Sequence, residues 1–230
     1  MLNKTKKWDL FHKKRLKNIE YPQWPDDNML RILFGRYNKY NKLKIKNNFK
    51  VLDIGCGFGN NLVPFLEIGC DCYGVEISTE IINVTKNCLK KRYDINEKNF
   101  LVGNNKKIPF KKSYFDLIIS SGVIHYEENE KNFIRAITEY SRVLKKNKYL
   151  YLSTTGMEHD LLKKSEYISK GASIVRDIDF RNGKQFFFTG DYRVLNFYLS
   201  KKFNKIDNFS YSNSMHKLKL DTIGAFCRKI

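Results

Sequence analysis

One ten-residue run restricts this chain more than any other: Val51-Leu52-Asp53-Ile54-Gly55-Cys56-Gly57-Phe58-Gly59-Asn60. Its first four residues read as a buried strand, its glycines as a sharp turn, and a helix pattern starts at Asn60. Glycine at every second position lets the backbone bend tightly and lets a ligand lie against the main chain with no Cβ between them. About twenty residues further on, Cys72-Tyr73-Gly74-Val75-Glu76 supplies a second short strand that ends in a carboxylate. Strand, glycine turn, helix and strand-end acid at that interval are how an open parallel sheet holds a nucleoside. The turn permits the close approach and the acid suits a ribose diol.

The alternation continues downstream. Strands are expected near 50–54 and 71–76, with a helix near 60–68 between them. Ser78 caps a helix whose Ile81, Thr85, Cys88 and Leu89 recur at helical spacing. A third strand falls near Phe100-Leu101-Val102. The fourth, Phe115 to Ser120, is apolar enough for burial on both faces. Phe133, Ile137, Tyr140 and Leu144 mark the next helix, and Tyr149 to Thr154 the fifth strand. Such regular exchange of strand and helix predicts a parallel sheet with right-handed crossovers. A helix near 191–201 then precedes strand-like runs at about 205–212 and 221–228. Only a loop separates these two, so they must pair antiparallel.

Upstream, residues 6–18 read as a basic amphipathic helix marked by Trp8, Phe11 and Leu16, broken by Tyr21-Pro22-Gln23-Trp24-Pro25. Asp26 or Asp27 caps a second helix through Met29, Leu30, Ile32, Leu33 and Tyr37. The expected architecture is one α/β domain built on a Rossmann-like, doubly wound, seven-stranded sheet, mostly parallel with an antiparallel C-terminal strand pair. Residues 1–48 form a helical cap and 49–155 a cofactor-binding core. Residues 156–190 are an insertion on the substrate side, and 191–230 the final helix and strands. No internal repeat or linker interrupts the chain.

Composition narrows the setting. A hydrophobic share of 42% and an aromatic share of 14% in 230 residues belong to a folded protein with a sizeable core. The basic start is not followed by an apolar run, so it is no secretory signal, and no stretch approaches a membrane span. The five cysteines, an odd number without Cys-x-x-Cys spacing, argue against a disulfide framework or a zinc site and for a reducing cytoplasm. The net charge is +19, and residues 1–50 carry 14 Lys+Arg against 4 Asp+Glu, hence +10 of it. A basic arm can hold nucleic-acid phosphates. Lysine nonetheless far outnumbers arginine, and abundant Asn, Ile, Phe and Tyr fit AT-rich codon usage, whereas specific nucleic-acid contacts lean on arginine forks.

The details of the turn select a ligand. A dinucleotide site places its third glycine one residue later and seats a pyrophosphate on the helix N-terminus. Here Asp53 stands just before the turn, where it would repel a pyrophosphate and suit the amino group and sulfonium of S-adenosylmethionine. The run closely resembles motif I of the class I S-adenosylmethionine-dependent methyltransferases, and Gly74-Val75-Glu76-Ile77-Ser78 resembles their second motif. A third matching block runs through Leu101-Val102-Gly103-Asn104-Asn105, Ile108-Pro109-Phe110, and Phe115-Asp116 to Tyr126. The likeness spans roughly residues 45–155. It departs at Lys146-Asn147-Lys148, where the family often has Pro-Gly-Gly, but asparagine tolerates the left-handed conformation such a turn needs.

The resemblance implies S-adenosyl-L-methionine as cofactor. It assigns cofactor binding to Asp53, Gly55, Cys56, Gly57, Asn60, Glu76, Ile77, Ser121 and either Asn104 or Asn105 at the adenine edge. Cys56 contributes its backbone and small size. Methyl transfer from a sulfonium asks mainly for alignment of donor and acceptor with water excluded. An oxygen acceptor also needs a base unless it is already ionised. His125, after the fourth strand, is the candidate general base, its ordinary pKa near 6.5 suiting that task; the alternative is that it merely opens the next helix. Tyr126 is the second catalytic candidate; with Tyr21 and Trp24 it forms either a lid or part of the core. His12, His159 and His216 are isolated and read as surface residues.

The acceptor must be gripped by 1–48 and 156–190. Arg176, Arg181 and Phe186-Phe187-Phe188 around a dry pocket suit an anionic small molecule: a nucleotide-linked sugar, a sugar acid or a phosphorylated precursor. The Tyr-Pro start together with Gly183-Lys184-Gln185-Phe186-Phe187-Phe188 resembles bacterial methyltransferases that modify surface-polysaccharide precursors. There is no Asn-Pro-Pro-Tyr motif for amino-group methylation and no catalytic cysteine motif. Ser121 to Tyr126 also resembles the transfer-RNA wobble-uridine methyltransferases, for which the basic arm would grip RNA. A non-catalytic S-adenosylmethionine-binding protein is the third reading.

Overall fold

The structure is a computed structural model that describes residues 24–35, 43–178, 181–215 and 218–230. The helix expected at 6–18, with Trp8, Phe11 and Leu16, lies outside them, as do His12, Tyr21, Tyr37 and His216.

The central sheet contains β1 (Lys50–Ile54), β2 (Asp71–Glu76), β3 (Phe100–Val102), β4 (Phe115–Ser121), β5 (Leu144–Thr155), and two late strands, β9 (Phe203–Met215) and β10 (Leu218–Lys229). Their order is β3-β2-β1-β4-β5-β10-β9, seven strands in all. Pairing is parallel from β3 to β5, with β1 lying between β2 and β4. β10 is antiparallel to both β5 and β9, so it alone runs against the rest. The order reverses beside β1, which is where an open α/β sheet leaves a crevice at the C-terminal strand ends.

Alternation along the strands divides the core into two layers. Leu52, Ile54, Ile118, Leu150 and Leu152 face one side. They meet Phe133, Ile137 and Tyr140 of α4 (Glu130–Val143) and Leu195, Tyr198 and Leu199 of α6 (Tyr192–Leu199). Val51, Leu117, Ile119 and Tyr151 face the other. There they meet α1 (Asp27–Leu33), α2 (Val63–Glu67) and α3 (Thr79–Lys90) through Met29, Phe65 and Leu89. Covered on both faces, β4 is buried along its whole length except Ser121, as its apolar run required.

Local signals set the helix starts. The Ser78 hydroxyl accepts from the Ile81 amide at 3.2 Å. Asp26, not Asp27, caps α1, accepting from the Asn28 and Met29 amides at 3.0 and 3.3 Å. Asp27 instead pairs with Arg31 one turn on, at 2.7 Å.

Three elements differ from the sequence expectation. The helix after the glycine turn is a 3₁₀ turn at Asn60–Leu62 running into the short α2, ending at Glu67. β5 starts at Leu144, five residues before Tyr149, so Leu144 caps the helix end and opens the strand; Asn147 takes φ 60° within it, the left-handed conformation an asparagine permits. The insertion, which carried no periodic signal, folds as α5 (Asp160–Lys163) and an antiparallel sheet of β6 (Ser165–Ser169), β7 (Ala172–Val175) and β8 (Gln185–Phe187). Among the described residues no helix is long and apolar enough to cross a membrane. All five cysteines are buried free thiols.

Candidate active site

The glycine turn is locked by its conformation and by the neighbouring strand. Gly55, Gly57 and Gly59 have φ of 68°, 51° and 82°. The amides of Gly55 and Cys56 both donate to the Val75 carbonyl, at 2.7 and 3.1 Å. A Cβ on Gly55 would stand 2.6 Å from a Val123 methyl. At the end of β2 the Glu76 carboxylate is fixed by backbone amides. One oxygen accepts from Ile77 at 2.7 Å and Ser78 at 3.3 Å, the other from Gly57 at 3.3 Å. Turn and acid are therefore one rigid unit.

A cavity of about 360 Å³ opens against this unit. Gly55, Gly57, Glu76 and Ile77 form its floor, with Ile54, Val75 and Ile81 supplying apolar surface. Asn104, Asn105, Ser121 and Tyr126 complete the wall among the residues anticipated from sequence.

The two asparagines are not equivalent. Asn105 is buried and its amide is spent inside the protein. Its Oδ1 accepts from the Tyr140 hydroxyl at 2.7 Å and its Nδ2 donates to Glu127 at 3.1 Å. The Tyr140 hydroxyl also lies 3.1 Å from Ser120 Oγ, and Lys106 pairs with Glu127 at 2.8 Å. Asn104 is exposed, with Oδ1 accepting from the Lys106 amide at 2.9 Å.

Asp53, Cys56, Asn60 and His125 do not stand on the cavity wall. Asp53 lies beneath it, 1% exposed, and its Oδ2 has no hydrogen-bond partner. Burial first, then the negative charges of Glu76 and Asp26, holds its carboxyl well above the usual carboxylate range. Cys56 is buried behind the turn, its sulfur 2.8 Å from where a Gly74 Cβ would be, so its small size matters. Asn60 opens the 3₁₀ turn.

His125 is enclosed rather than exposed to the cavity. It sits in the turn Ile124–Tyr126, 5% exposed, with its ring 4.4 Å from Tyr126 and 6.2 Å from Phe186. Neither ring nitrogen has a hydrogen-bond partner. Burial, reinforced by the positive charges of His159 and Arg181, pushes its pKa down to about 3. The imidazole is thus neutral, packed among aromatic rings and absent from the cavity wall.

The insertion is also rearranged relative to expectation. Phe187 packs on Phe133 in the main core, and Phe186 and Phe188 join Leu161, Val175 and Ile178 in a smaller one. The phenylalanine run thus fastens the insertion to the sheet and is not part of the lining of the cavity above. Arg176 pairs with Glu166 on the surface, whereas Arg181 donates to the Tyr126 hydroxyl at 3.1 Å. His159 is no isolated surface residue: its Nδ1 caps α5 at the Leu161 amide, 3.0 Å away. Trp24 is 81% exposed and belongs to no core.

Sequence reasoning gave Asp26 only as a helix cap. Its Oδ2 accepts from Ser121 Oγ at 2.6 Å and from the Tyr151 hydroxyl at 3.3 Å, which brings a third carboxylate to the strand ends. Nothing in the spacing of Asp26 to Ser121, 95 residues apart, signals that contact.

Residues 52–152 match the family described as methyltransferase domain. The match falls on the strand, turn and cavity-lining segments described above and covers less than half of the chain. A ubiquinone biosynthesis O-methyltransferase of Pelagibacter ubique is 30% identical over 134 residues, covering 55% of this chain and 53% of that protein. A probable tRNA methyltransferase 9B of Mus musculus is 34% identical over 113 residues, covering 47% of this chain and 22% of that protein. This chain thus spans about half of the first relative's length and less of the second's. In three dimensions, a SAM-dependent methyltransferase from Methanosarcina mazei superposes with a TM-score of 0.66 at 24% identity, covering 81% of this chain and 94% of that one.

The chemistry of the cavity suits S-adenosylmethionine. The amide-fixed Glu76 can accept from a ribose diol, the Ile54–Val75–Ile77–Ile81 surface suits an adenine face, and the turn admits the chain close to the main-chain amides. The buried Asp53 oxygen without a partner answers to a cationic ligand.

Proposed function

We propose that the chain transfers the methyl group of S-adenosylmethionine to an oxygen of an anionic small molecule, such as a nucleotide-linked or phosphorylated precursor of a surface polysaccharide. The bound donor supplies a methyl group on a good leaving group; the protein supplies alignment and exclusion of water. In this reading Glu76 holds the ribose and the Gly55–Gly57 turn the methionine end. Asn104 reads the adenine edge, because the Asn105 amide is already committed to Tyr140 and Glu127. Tyr126, on the cavity wall and steadied by Arg181, faces the acceptor side.

The observation that carries the choice of acceptor is the state of His125. A histidine held neutral with a pKa of about 3 and buried off the wall leaves the anticipated base out of the reaction. A carboxylate or phosphate oxygen needs no base, and the Arg181–Tyr126 pair supports an anionic partner. Five buried free thiols support a reducing, cytoplasmic setting.

The test is release of S-adenosylhomocysteine in the presence of carboxylate- or phosphate-bearing sugars, neutral sugars, bulk transfer RNA, or protein alone. Turnover with the anionic set, retained in His125→Ala, is the expected result. A loss of about 10²–10⁴-fold in that variant would restore histidine as a general base and overturn the acceptor class. A second reading, RNA as acceptor, is favoured by the likeness to the probable tRNA methyltransferase and by the +19 charge. Turnover with transfer RNA alone would establish it, and donor binding without turnover on any acceptor would leave a non-catalytic binding protein.

A further inference from the structure

The position of Asp26 has a consequence for the donor site. Asp26 is held at three points near the C-terminal ends of the central strands: its two carboxylate oxygens and its backbone amide. Oδ1 takes the first amides of α1. Oδ2 takes the hydroxyls of Ser121, on the cavity wall, and Tyr151, on β5. The Asp26 amide donates to Asn61 Oδ1, at 2.9 Å, in the turn that follows the glycines. Every one of these partners is neutral. Among the described residues no ion pair involves Asp26 or Asp53. Asp53 lies on the same side of the sheet, fully buried, with one carboxylate oxygen unpartnered.

A half-buried carboxylate pinned by hydroxyls and a fully buried one left without a partner, on the same face of the sheet, make a costly arrangement unless a cation completes it. We propose that Asp26 is a specificity-determining residue of the donor site: with Asp53 it favours the sulfonium of S-adenosylmethionine over the neutral thioether of S-adenosylhomocysteine. The inference rests on the methyltransferase reading above. Donor and product share adenosine, ammonium and carboxylate, and differ by the methyl group and one positive charge. Loss of that charge on transfer restores the mutual repulsion of the two carboxylates and loosens the product.

The test is calorimetric titration of the full chain with donor and with product, in wild type and in Asp26→Asn. Asparagine caps a helix about as well as aspartate, so this change removes the charge and keeps the cap. The expected outcome is a loss of about tenfold in donor affinity, with product affinity changed less than about threefold, the scale of one partly screened charge interaction. Asp26→Ser, also a capping residue, should behave alike and serves if the asparagine variant melts early. Ser121→Ala keeps the charge and should leave the donor-to-product ratio within about twofold. Equal losses for donor and product, or none for either, would overturn the proposal, and so would unchanged affinities with slower turnover, which would move Asp26 to the acceptor side. Wild-type protein that binds neither ligand would end the methyltransferase reading itself.

Discussion

At the scale of single residues, burial rewrites chemistry that sequence suggests. An imidazole in water changes charge near pH 6.5, but His125 stays neutral down to about 3 because aromatic rings replace its solvent. The unfolded chain takes up a proton at His125 as pH falls through 6.5 while the native state does not. Its contribution to stability is therefore complete above pH 6.5 and is lost progressively toward pH 3. By pH 5 the loss from this group is about 2 kcal/mol. Urea unfolding of His125→Phe at pH 7.5 and 5 should show a drop smaller than the wild type's by about that amount; an identical drop would mean the ring is not buried as described. Gly55 is constrained by both its φ of 68° and the Val123 methyl that would meet a Cβ at 2.6 Å. Gly55→Ala should cost about 1–3 kcal/mol in stability and abolish donor binding, read by unfolding and by titration.

Elements hold the site through buried polar chains as much as through apolar packing. Tyr140 of α4 links Ser120 of β4 to Asn105, and Asn105 reaches Glu127 and thence Lys106. That chain ties α4 and β4 to the two loops that wall the cavity. Tyr140→Phe keeps the ring and strands the Asn105 oxygen, so it should lower stability by about 1–3 kcal/mol. It should also weaken donor binding, since both loops lose a common anchor, and denaturant unfolding beside titration separates the two effects. The insertion behaves differently. β6, β7 and β8 grip the core through Phe186, Phe187 and Phe188, all buried, so Phe186→Ala should cost about 3–5 kcal/mol with donor affinity unchanged in the protein that remains folded.

For the whole molecule, ligand linkage and net charge set the measurable behaviour. S-adenosylmethionine at a hundredfold excess over its Kd should stabilise the chain by about 2.7 kcal/mol, seen as a higher Tm, and NAD should give no shift. With a net charge of +19, transfer RNA should bind, but if codon usage rather than recognition set that charge, the affinity should collapse as salt rises. Nanomolar, sequence-selective RNA binding at physiological salt would instead favour the RNA acceptor.

The strand and glycine turn at Asp53-Ile54-Gly55-Cys56-Gly57 and the acid at Glu76 were legible in the sequence, because they rest on short-range rules. A positive φ demands glycine, a buried parallel strand demands an apolar run, and a strand-end acid follows its strand. The Ser78 cap was readable for the same reason. Tertiary structure alone decided the rest. It buried His125, divided Asn104 from Asn105, turned the phenylalanine run into core, and set Asp26 against Ser121 across 95 residues. Those outcomes depend on which surfaces meet when layers pack, and a residue's polarity or spacing carries no record of the neighbour that will lie across from it. Periodicity tells a side chain which face to take; burial and partner charge, which fix its protonation and its chemistry, exist only once both faces are covered.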